Sequence, residues 1–79
     1  MDKITKFLQT LRKDERRLIL AVLDDVRILR LDGLDVLALS GYKDIFRVRK
    51  SRFRIIFSKK DGRGYLLEVN YRKDAYKRF

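Results

Sequence analysis

The feature that most constrains the fold is an alternation of apolar and charged residues in segment 46–57, FRVRKSRFRIIF. Its alternating apolar positions, on either side of Lys50 and Ser51, are Phe46, Val48, Phe53, Ile55 and Phe57. Five of the twelve residues are Arg or Lys. Because successive side chains of a strand point to opposite faces, the pattern predicts two strands with one apolar and one basic face.

The charge of the whole chain is as unusual as that of this segment. Its 79 residues are enough for one small domain, and 46% hydrophobic residues supply a core and argue against disorder. Lys plus Arg number 21 against 11 Asp plus Glu, a formal net charge of +10. This excess implies a polyanionic partner, which nucleic acid, an acidic protein or an anionic membrane surface would each provide. The alternative is a basic surface that only maintains solubility.

Several functional classes are disfavoured by what the sequence lacks. No apolar run approaches the roughly 18 residues of a membrane span, and the first residues, MDKITKF, do not form the apolar region of a signal peptide. Cysteine is absent, which agrees with a cytoplasmic protein. Histidine is also absent, so zinc sites and Ser-His or Cys-His nucleophilic systems are excluded. We expect no metal and no cofactor.

The first part of the chain has helical periodicity. A stripe at i, i+3, i+4 and i+7 consists of Ile4, Phe7, Leu8 and Leu11. A second helix is predicted to be capped by Asp14 and to end at Gly33. Its apolar face contains Ile19, Val22, Leu23 and Val26. The short connection between the two predicts an antiparallel helical hairpin.

The second part has the period of a sheet. Strands are predicted near residues 45–50, 52–59 and 64–71, with a turn at Lys50 and Ser51 and a hairpin at Asp61-Gly62. Apolar residues 36–39 are expected to pack on the core. The third strand is predicted to place Tyr65, Leu67 and Val69 on the buried face. The fold class is therefore α+β, with the helical hairpin on one face of a small antiparallel sheet, in the order α-α-β-β-β.

Arginines from different strands are predicted to share the sheet face that the helices leave uncovered. This face should contain Arg47, Arg49, Arg52, Arg54, Glu68 and Arg72. A guanidinium presents a rigid fork of donors that matches phosphate oxygens, so the face is a candidate phosphate site. The alternative is a solvated face whose long charged side chains prevent association.

Tyrosines flank the basic strands and offer rings on which unpaired bases can stack. Tyr71 is expected to share the buried face with Val69, whereas Tyr76 lies beyond the last strand and is the stronger candidate for substrate contact. Cleavage of RNA by its own 2′-hydroxyl needs orientation, neutralisation of the phosphate charge, and a proton acceptor and donor. Arginines can supply the first two. The proton-transfer group stays open among Tyr76, Lys73, Lys50 and Glu68.

Three motifs in this order are similar to those of the RelE/ParE superfamily of bacterial toxins. The first is a leucine-glycine segment leading into a basic strand, matched by Leu39, Gly41, Phe46, Arg47 and Arg49. The second is the aromatic-arginine-apolar strand formed by residues 53–57, FRIIF. The third is a closing motif matched by Val69, Arg72, Lys73, Asp74, Ala75 and Tyr76. The chain most resembles the RelE-like mRNA interferase branch.

The resemblance implies a single RelE-like domain over residues 1–79 that lacks the family's usual first strand. It further implies the toxin of a type II toxin–antitoxin system, a ribosome-dependent endoribonuclease that cleaves mRNA and inhibits translation. Its partners would be a cognate antitoxin, mRNA and the ribosome, with a toxin–antitoxin hetero-oligomer as the assembly. The alternatives are a ParE-like inhibitor of DNA gyrase and a nucleic-acid-binding module without catalysis.

Site residues follow from the same resemblance. The positions that bind and activate the scissile phosphate or orient the base are Arg47, Arg49, Arg54, Arg72 and Tyr76. Further RNA contacts are expected from Lys50, Arg52, Lys73 and Tyr42. The histidine of the family's closing motif is replaced here by Tyr71, so a histidine acid or base is not available.

Overall fold

A computed structural model describes residues 2–71. Two helices come first, α1 (Lys3–Gln9) and α2 (Lys13–Arg27). Four strands follow: β1 (Asp35–Ala38), β2 (Ile45–Lys50), β3 (Phe53–Lys60) and β4 (Arg63–Tyr71). The α+β class and the order of helices before sheet are confirmed. Within residues 2–71 no strand precedes α1, which is the departure from the family pattern expected from the sequence.

The two helices bury the predicted faces. Leu8 and Leu11 enter the core together with Ile19, Val22, Leu23 and Val26, while Ile4 and Phe7 are partly buried against it. Arg16 of α2 fixes the end of α1, because its guanidinium donates to the carbonyl oxygens of Leu8 at 3.0 Å and Leu11 at 3.1 Å. These bonds satisfy carbonyls that a helix C-terminus leaves without partners.

The boundaries of α2 differ from the prediction. The N-cap is Arg12, without a side-chain hydrogen bond, and Asp14 lies within the first turn. The helix ends at Arg27 rather than at Gly33, because Leu29 adopts a left-handed conformation with φ 58°. The N–H groups of Leu29 and Arg30 then donate back to the carbonyls of Val26 and Asp25. This is the Schellman arrangement that usually employs glycine.

The sheet is antiparallel throughout, in the order β1-β2-β3-β4. Its helix-facing side buries Val48, Phe53, Ile55, Phe57 and Val69 in the same cluster as α1 and α2. Tyr71 is partly buried there, with its ring 5.5 Å from that of Phe53, which confirms the predicted placement of this tyrosine. At Asp61-Gly62 the φ angles are 53° and 75°, both positive, as the predicted tight hairpin requires.

The predicted three-strand order was incomplete, because residues 35–38 form a fourth strand. β1 pairs with β2 through Asp35–Arg49, Val36–Val48, Leu37–Arg47 and Ala38–Phe46. Only Val36 of this strand packs against the core, so a buried apolar run was the wrong interpretation of this segment. Pairing with β2, rather than burial, gives residues 35–38 their extended conformation.

The predicted faces of β4 were wrong at two of three positions. Val69 is buried, but Tyr65 and Leu67 are 46% and 45% exposed. The register shifts between Ile56 and Phe57: Ile56 pairs with Glu68 and Phe57 with Leu66, so Leu67 is an extra residue in the strand. A bulge of this kind reverses the alternation of faces, which is why Gly64 and Leu66 turn toward the helices.

Asp2 caps α1, and its ionisation should contribute to acid sensitivity. The N–H of Thr5 donates to Oδ1 of Asp2 at 2.7 Å, and this bond lowers the pKa of Asp2 below its usual 3.8. Because the folded pKa is the lower one, the contribution to stability is complete above the unfolded pKa and is lost as pH falls through the folded pKa. Asp2→Asn should retain a cap and remove this pH dependence.

The measurement for Asp2→Asn is urea unfolding at a series of pH values from about 5 down to about 2. Asp61→Asn is the matched control, because it also removes one exposed carboxylate and Asn tolerates the positive φ of that turn. The decrease of the unfolding free energy with falling pH should become shallower only for Asp2→Asn. Equal slopes for the wild type and Asp2→Asn would contradict the prediction.

Neither helix within residues 2–71 has the length and apolar character needed to cross a bilayer.

Candidate functional site

Strand pairing places Arg47, Arg49 and Arg54 on the sheet face opposite the helices, in two rows across the four strands. Directly paired residues lie on the same face of a sheet, so each row can be followed from strand to strand. The first row consists of Asp35, Arg49, Arg54 and Asn70. The second row consists of Leu37, Arg47, Ile56 and Glu68. These eight residues are called the arginine face below.

Two of the three arginines are almost completely buried. Arg47 is 6% exposed and Arg54 is 3% exposed, and Ile56 beside them is 2% exposed. The interpretation of this surface as a merely solvated sheet face is therefore wrong for its centre. A guanidinium in such surroundings acts on a neighbouring charge more strongly than one in water, because the local dielectric constant is low.

Arg47 has unused hydrogen-bonding capacity. Its Nη1 is buried and has no hydrogen-bond partner within residues 2–71. Burying a charged donor without a partner costs stability, and a functional role or a bound ion is among the explanations for such a group. An anion that accepts a bond from Nη1 would remove this cost.

Arg49 is held differently from Arg47. Its Nε donates to Oδ2 of Asp35 at 2.8 Å, and 40% of its side chain is exposed. The ion pair with Asp35 reduces the positive charge that Arg49 presents to a ligand. Arg49 is also the most exposed of the three arginines on this face. Asp35 was not singled out from the sequence, because its strand was not predicted.

β4 contributes polar groups to the same face. Asn70 pairs with Arg54 in the register, and Glu68 pairs with Ile56. Glu68 is therefore a diagonal neighbour of Arg54, within reach of a long side chain. Its Oε2 atom is buried. A carboxylate among three arginines limits their mutual repulsion and provides the face with a basic oxygen.

The expected RNA-contact residues are not all on this face. Arg52 lies on the helix side, where its guanidinium is 5.5 Å from the ring centroid of Phe53 and 5.1 Å from that of Tyr71. It also pairs with Glu15 of α2 at 2.8 Å. The turn at Ser51, with φ 54°, ends the alternation that had placed Arg52 beside Arg54.

Lys50 and Tyr42 also lie apart from the arginine face. Lys50 pairs with Phe53 in the register, which assigns it to the helix-facing side at the end of β2. Tyr42 is 45% exposed, in the connection between β1 and β2. Three further predicted site residues, Arg72, Lys73 and Tyr76, lie outside the described residues.

Metal-binding chemistry has little to build on in the described part of the chain. Among residues 2–71 there is no group of three or more acidic side chains placed to hold a metal ion, and the sequence has neither His nor Cys.

Comparisons with known proteins found similarity in structure but not in sequence. No family model and no curated protein matches the chain. A chain of the crystal structure of the RelB-RelE antitoxin-toxin complex from Methanococcus jannaschii superposes with a TM-score of 0.76 at 19% sequence identity. The match covers 100% of this chain and 95% of that chain. The two chains share a fold, which confirms the fold expected from the sequence motifs.

Proposed function

We propose that this protein is the toxin of a type II toxin–antitoxin pair and that its arginine face binds and cleaves mRNA on the ribosome. The observation that carries the proposal is the convergence of Arg47, Arg49 and Arg54 on one face, with Arg47 and Arg54 nearly buried. The fold shared with a chain of a RelB-RelE complex supports the toxin–antitoxin assignment.

The arginine face suits attack of a ribose 2′-hydroxyl on the adjacent phosphate. In that reaction the 2′-oxygen loses a proton and bonds to phosphorus. The bond from phosphorus to the 5′-oxygen breaks, and the 5′-oxygen takes up a proton. Negative charge grows on the two non-bridging oxygens, where fixed guanidinium donors stabilise the transition state more than the ground state. Arg47, with a free Nη1, is proposed to donate to one of them.

The proton acceptor is proposed to be Glu68. Of the four residues open for this role from the sequence, Tyr76 and Lys73 lie outside the described residues. Lys50 is assigned by its register to the helix-facing side, whereas Glu68 belongs to the arginine face. A carboxylate can accept the 2′-proton when it lies within hydrogen-bond distance of the bound ribose.

A protein partner is part of the proposal, since a folded chain of net charge +10 favours association with an acidic protein. Such an antitoxin would neutralise the positive charge of this protein for as long as the antitoxin stays bound. The assembly would be a hetero-oligomer of toxin and antitoxin.

The test is induction of the wild-type protein in bacteria, followed by primer extension on a translated message. We expect growth arrest and cuts within the translated region. Arg54→Gln should reduce cleavage about 100-fold or more, because a preorganised charged donor to the phosphate is lost. Arg17→Gln is the matched control, since Arg17 is an exposed arginine of α2, and it should leave cleavage unchanged.

Other outcomes would exclude the nuclease. Intact messages and normal growth in cells containing soluble, folded wild-type protein would overturn it. Loss of DNA supercoiling by gyrase, with the messages intact, would favour the gyrase-inhibitor alternative. Retention of full cleavage by Arg54→Gln would show that the arginine face is not the site.

A further inference from the structure

β4 forms one edge of the sheet. In the order β1-β2-β3-β4, β4 pairs with β3 on one side and with no other strand of the described chain. Alternate N–H and C=O groups along such an edge point away from the sheet and can pair with another extended segment. The opposite edge is β1, which has four residues, whereas β4 has nine.

A groove runs along β4 beside α1. It has a volume of about 390 Å³ and is lined on the helix side by Lys3, Ile4, Lys6 and Phe7, and on the strand side by residues 67–70. This surface is called the α1–β4 groove below. A strand added at the edge of β4 would therefore have side-chain contacts with α1 as well as backbone pairing, and β1 has no helix packed along it in this manner.

Both sides of the α1–β4 groove present apolar surface. Leu67, the extra residue of the bulge in β4, is 45% exposed in the groove. Ile4 and Phe7 are only partly buried in the core and also line it. Large apolar side chains gathered in one groove, rather than scattered singly, are typical of a binding surface.

The rim of the groove is basic. Lys3 and Lys6 stand on its helix side and are exposed, and neither has an ion pair with an acidic residue of the described chain. The acidic residue on the strand side, Glu68, belongs to the arginine face and its Oε2 is buried. The rim therefore favours carboxylates on an incoming segment.

We propose that the α1–β4 groove binds an extended segment of a partner protein, with alternating apolar and acidic residues, which pairs with β4 as an additional strand. The apolar residues pack on Leu67, Ile4 and Phe7, and the carboxylates meet Lys3 and Lys6. A second copy of this chain is a poorer occupant, because pairing of two β4 edges would bring together two lysine rims on chains of +10 each. The inference rests on the proposed function for its protein partner, but binding itself does not require RNA cleavage.

The test is a selection from a displayed library of random peptides long enough to span β4, with the full chain as bait. Peptides are counter-selected against a Lys3→Glu, Lys6→Glu, Leu67→Glu variant. We expect enrichment of sequences in which apolar and acidic residues alternate. Hydrogen exchange should then show that the bound peptide protects backbone amides of β4 and leaves those of β1 unchanged.

Affinities of variants that change only the lysines or only Leu67 separate the charged contacts from the apolar contact. Reversing both lysines should weaken a selected peptide about tenfold, and Leu67→Glu should weaken it by a similar factor, since each removes a contact of the bound strand. The matched control for Leu67 is Leu18→Glu, an exposed leucine of α2 outside the groove, 37% exposed. The control for the lysines is Lys13→Glu with Lys43→Glu, both exposed and away from the groove. Neither control should change the affinity.

Each remaining outcome overturns the inference. Selected peptides that bind the variant equally, or that protect β2 and β3 instead of β4, would show that general charge or the arginine face governs binding. Failure to enrich any peptide would show that the groove is only a protected edge, and self-association with protection of β4 would make a second copy the occupant. RNA cleavage by the Lys3→Glu, Lys6→Glu, Leu67→Glu variant is measured in parallel, so loss of the nuclease and loss of the groove remain distinguishable.

Discussion

Arg47→Met is expected to reduce RNA cleavage by about 100-fold or more while stabilising the fold. Arg47 is 6% exposed, and its Nη1 has no hydrogen-bond partner within residues 2–71. Methionine has a similar length and no charge, so it can occupy the space among Leu37 and Ile56, the neighbours of Arg47 in its row, without a desolvated donor. Replacement of buried ion pairs by apolar side chains of similar volume is often neutral or stabilising by about 1–4 kcal/mol, and we expect the same direction for the buried charge of Arg47.

The activity of Arg47→Met should change in the opposite direction. Loss of one preorganised donor to a developing oxyanion typically lowers the rate by about 100- to 1,000-fold. The two measurements are urea unfolding and primer extension on a translated message. Arg49→Met is the matched control for stability: Arg49 is partly exposed and paired with Asp35, so its loss should alter the unfolding free energy by less than about 1 kcal/mol. Destabilisation by Arg47→Met would show that Arg47 is a structural residue.

Gly64→Ala is expected to cost about 3 kcal/mol or more, a large part of the roughly 5–15 kcal/mol by which domains are usually stable. Gly64 lies on the helix-facing side of β4, directly beneath the C-terminal turn of α2. A Cβ atom at this position would overlap the carbonyl oxygen of Val26. The obstacle is helix backbone, so no rotation of a side chain can relieve the overlap, and α2 would have to lift from the sheet.

Gly62→Ala is the matched control for Gly64→Ala. Gly62 has φ 75°, and a Cβ atom added there would meet no other atom within 4 Å. Alanine at this position should therefore cost about 1 kcal/mol through backbone conformation alone. Urea unfolding of both variants, monitored by circular dichroism, should give a clearly larger loss for Gly64→Ala. Equal losses would mean that α2 accommodates the methyl group and that the close packing of helix on strand is not required.

The strands at the centre of the sheet could be predicted because one physical signal dominates them. In β2 and β3 the apolar side chains alternate with arginines, and only a strand places Phe53, Ile55 and Phe57 on one side and Arg54 on the other. The apolar stripes of α1 and α2 were equally clear. The Asp61-Gly62 turn followed from the need for positive φ at both positions.

The elements that were wrong depend on interactions that the local sequence does not contain. β1 is extended because Asp35–Ala38 pairs with β2, not because of its own composition. The bulge at Leu67 inverts the faces of β4 without a glycine or proline to mark it. The end of α2 is set by Leu29 in a conformation that leucine rarely adopts, so the glycine four residues later was the more obvious stop.

The candidate site also has features that the local sequence predicts and features that it does not. Alternation alone brought Arg47, Arg49 and Arg54 together, and the register confirms that they share a face. Alternation could not reveal that Arg47 and Arg54 are buried, that Arg49 is held by Asp35, or that a turn directs Arg52 to Glu15. Those facts depend on pairs of residues distant in sequence, and each changes the charge that a ligand would meet.

The succession of the strands has a consequence for how quickly the molecule assembles. Every strand hydrogen-bonds to the strand that precedes or follows it in the chain, so the sheet can zip up through successive hairpins with short loops. The docking of α1 and α2 on β4, and contacts such as that of Phe7 with Phe53, join distant parts of the sequence within residues 2–71. Mixed domains of helices and sheet have intermediate contact order and fold in roughly milliseconds. A molecule of this kind should recover its native state soon after unfolding, without assistance from chaperones.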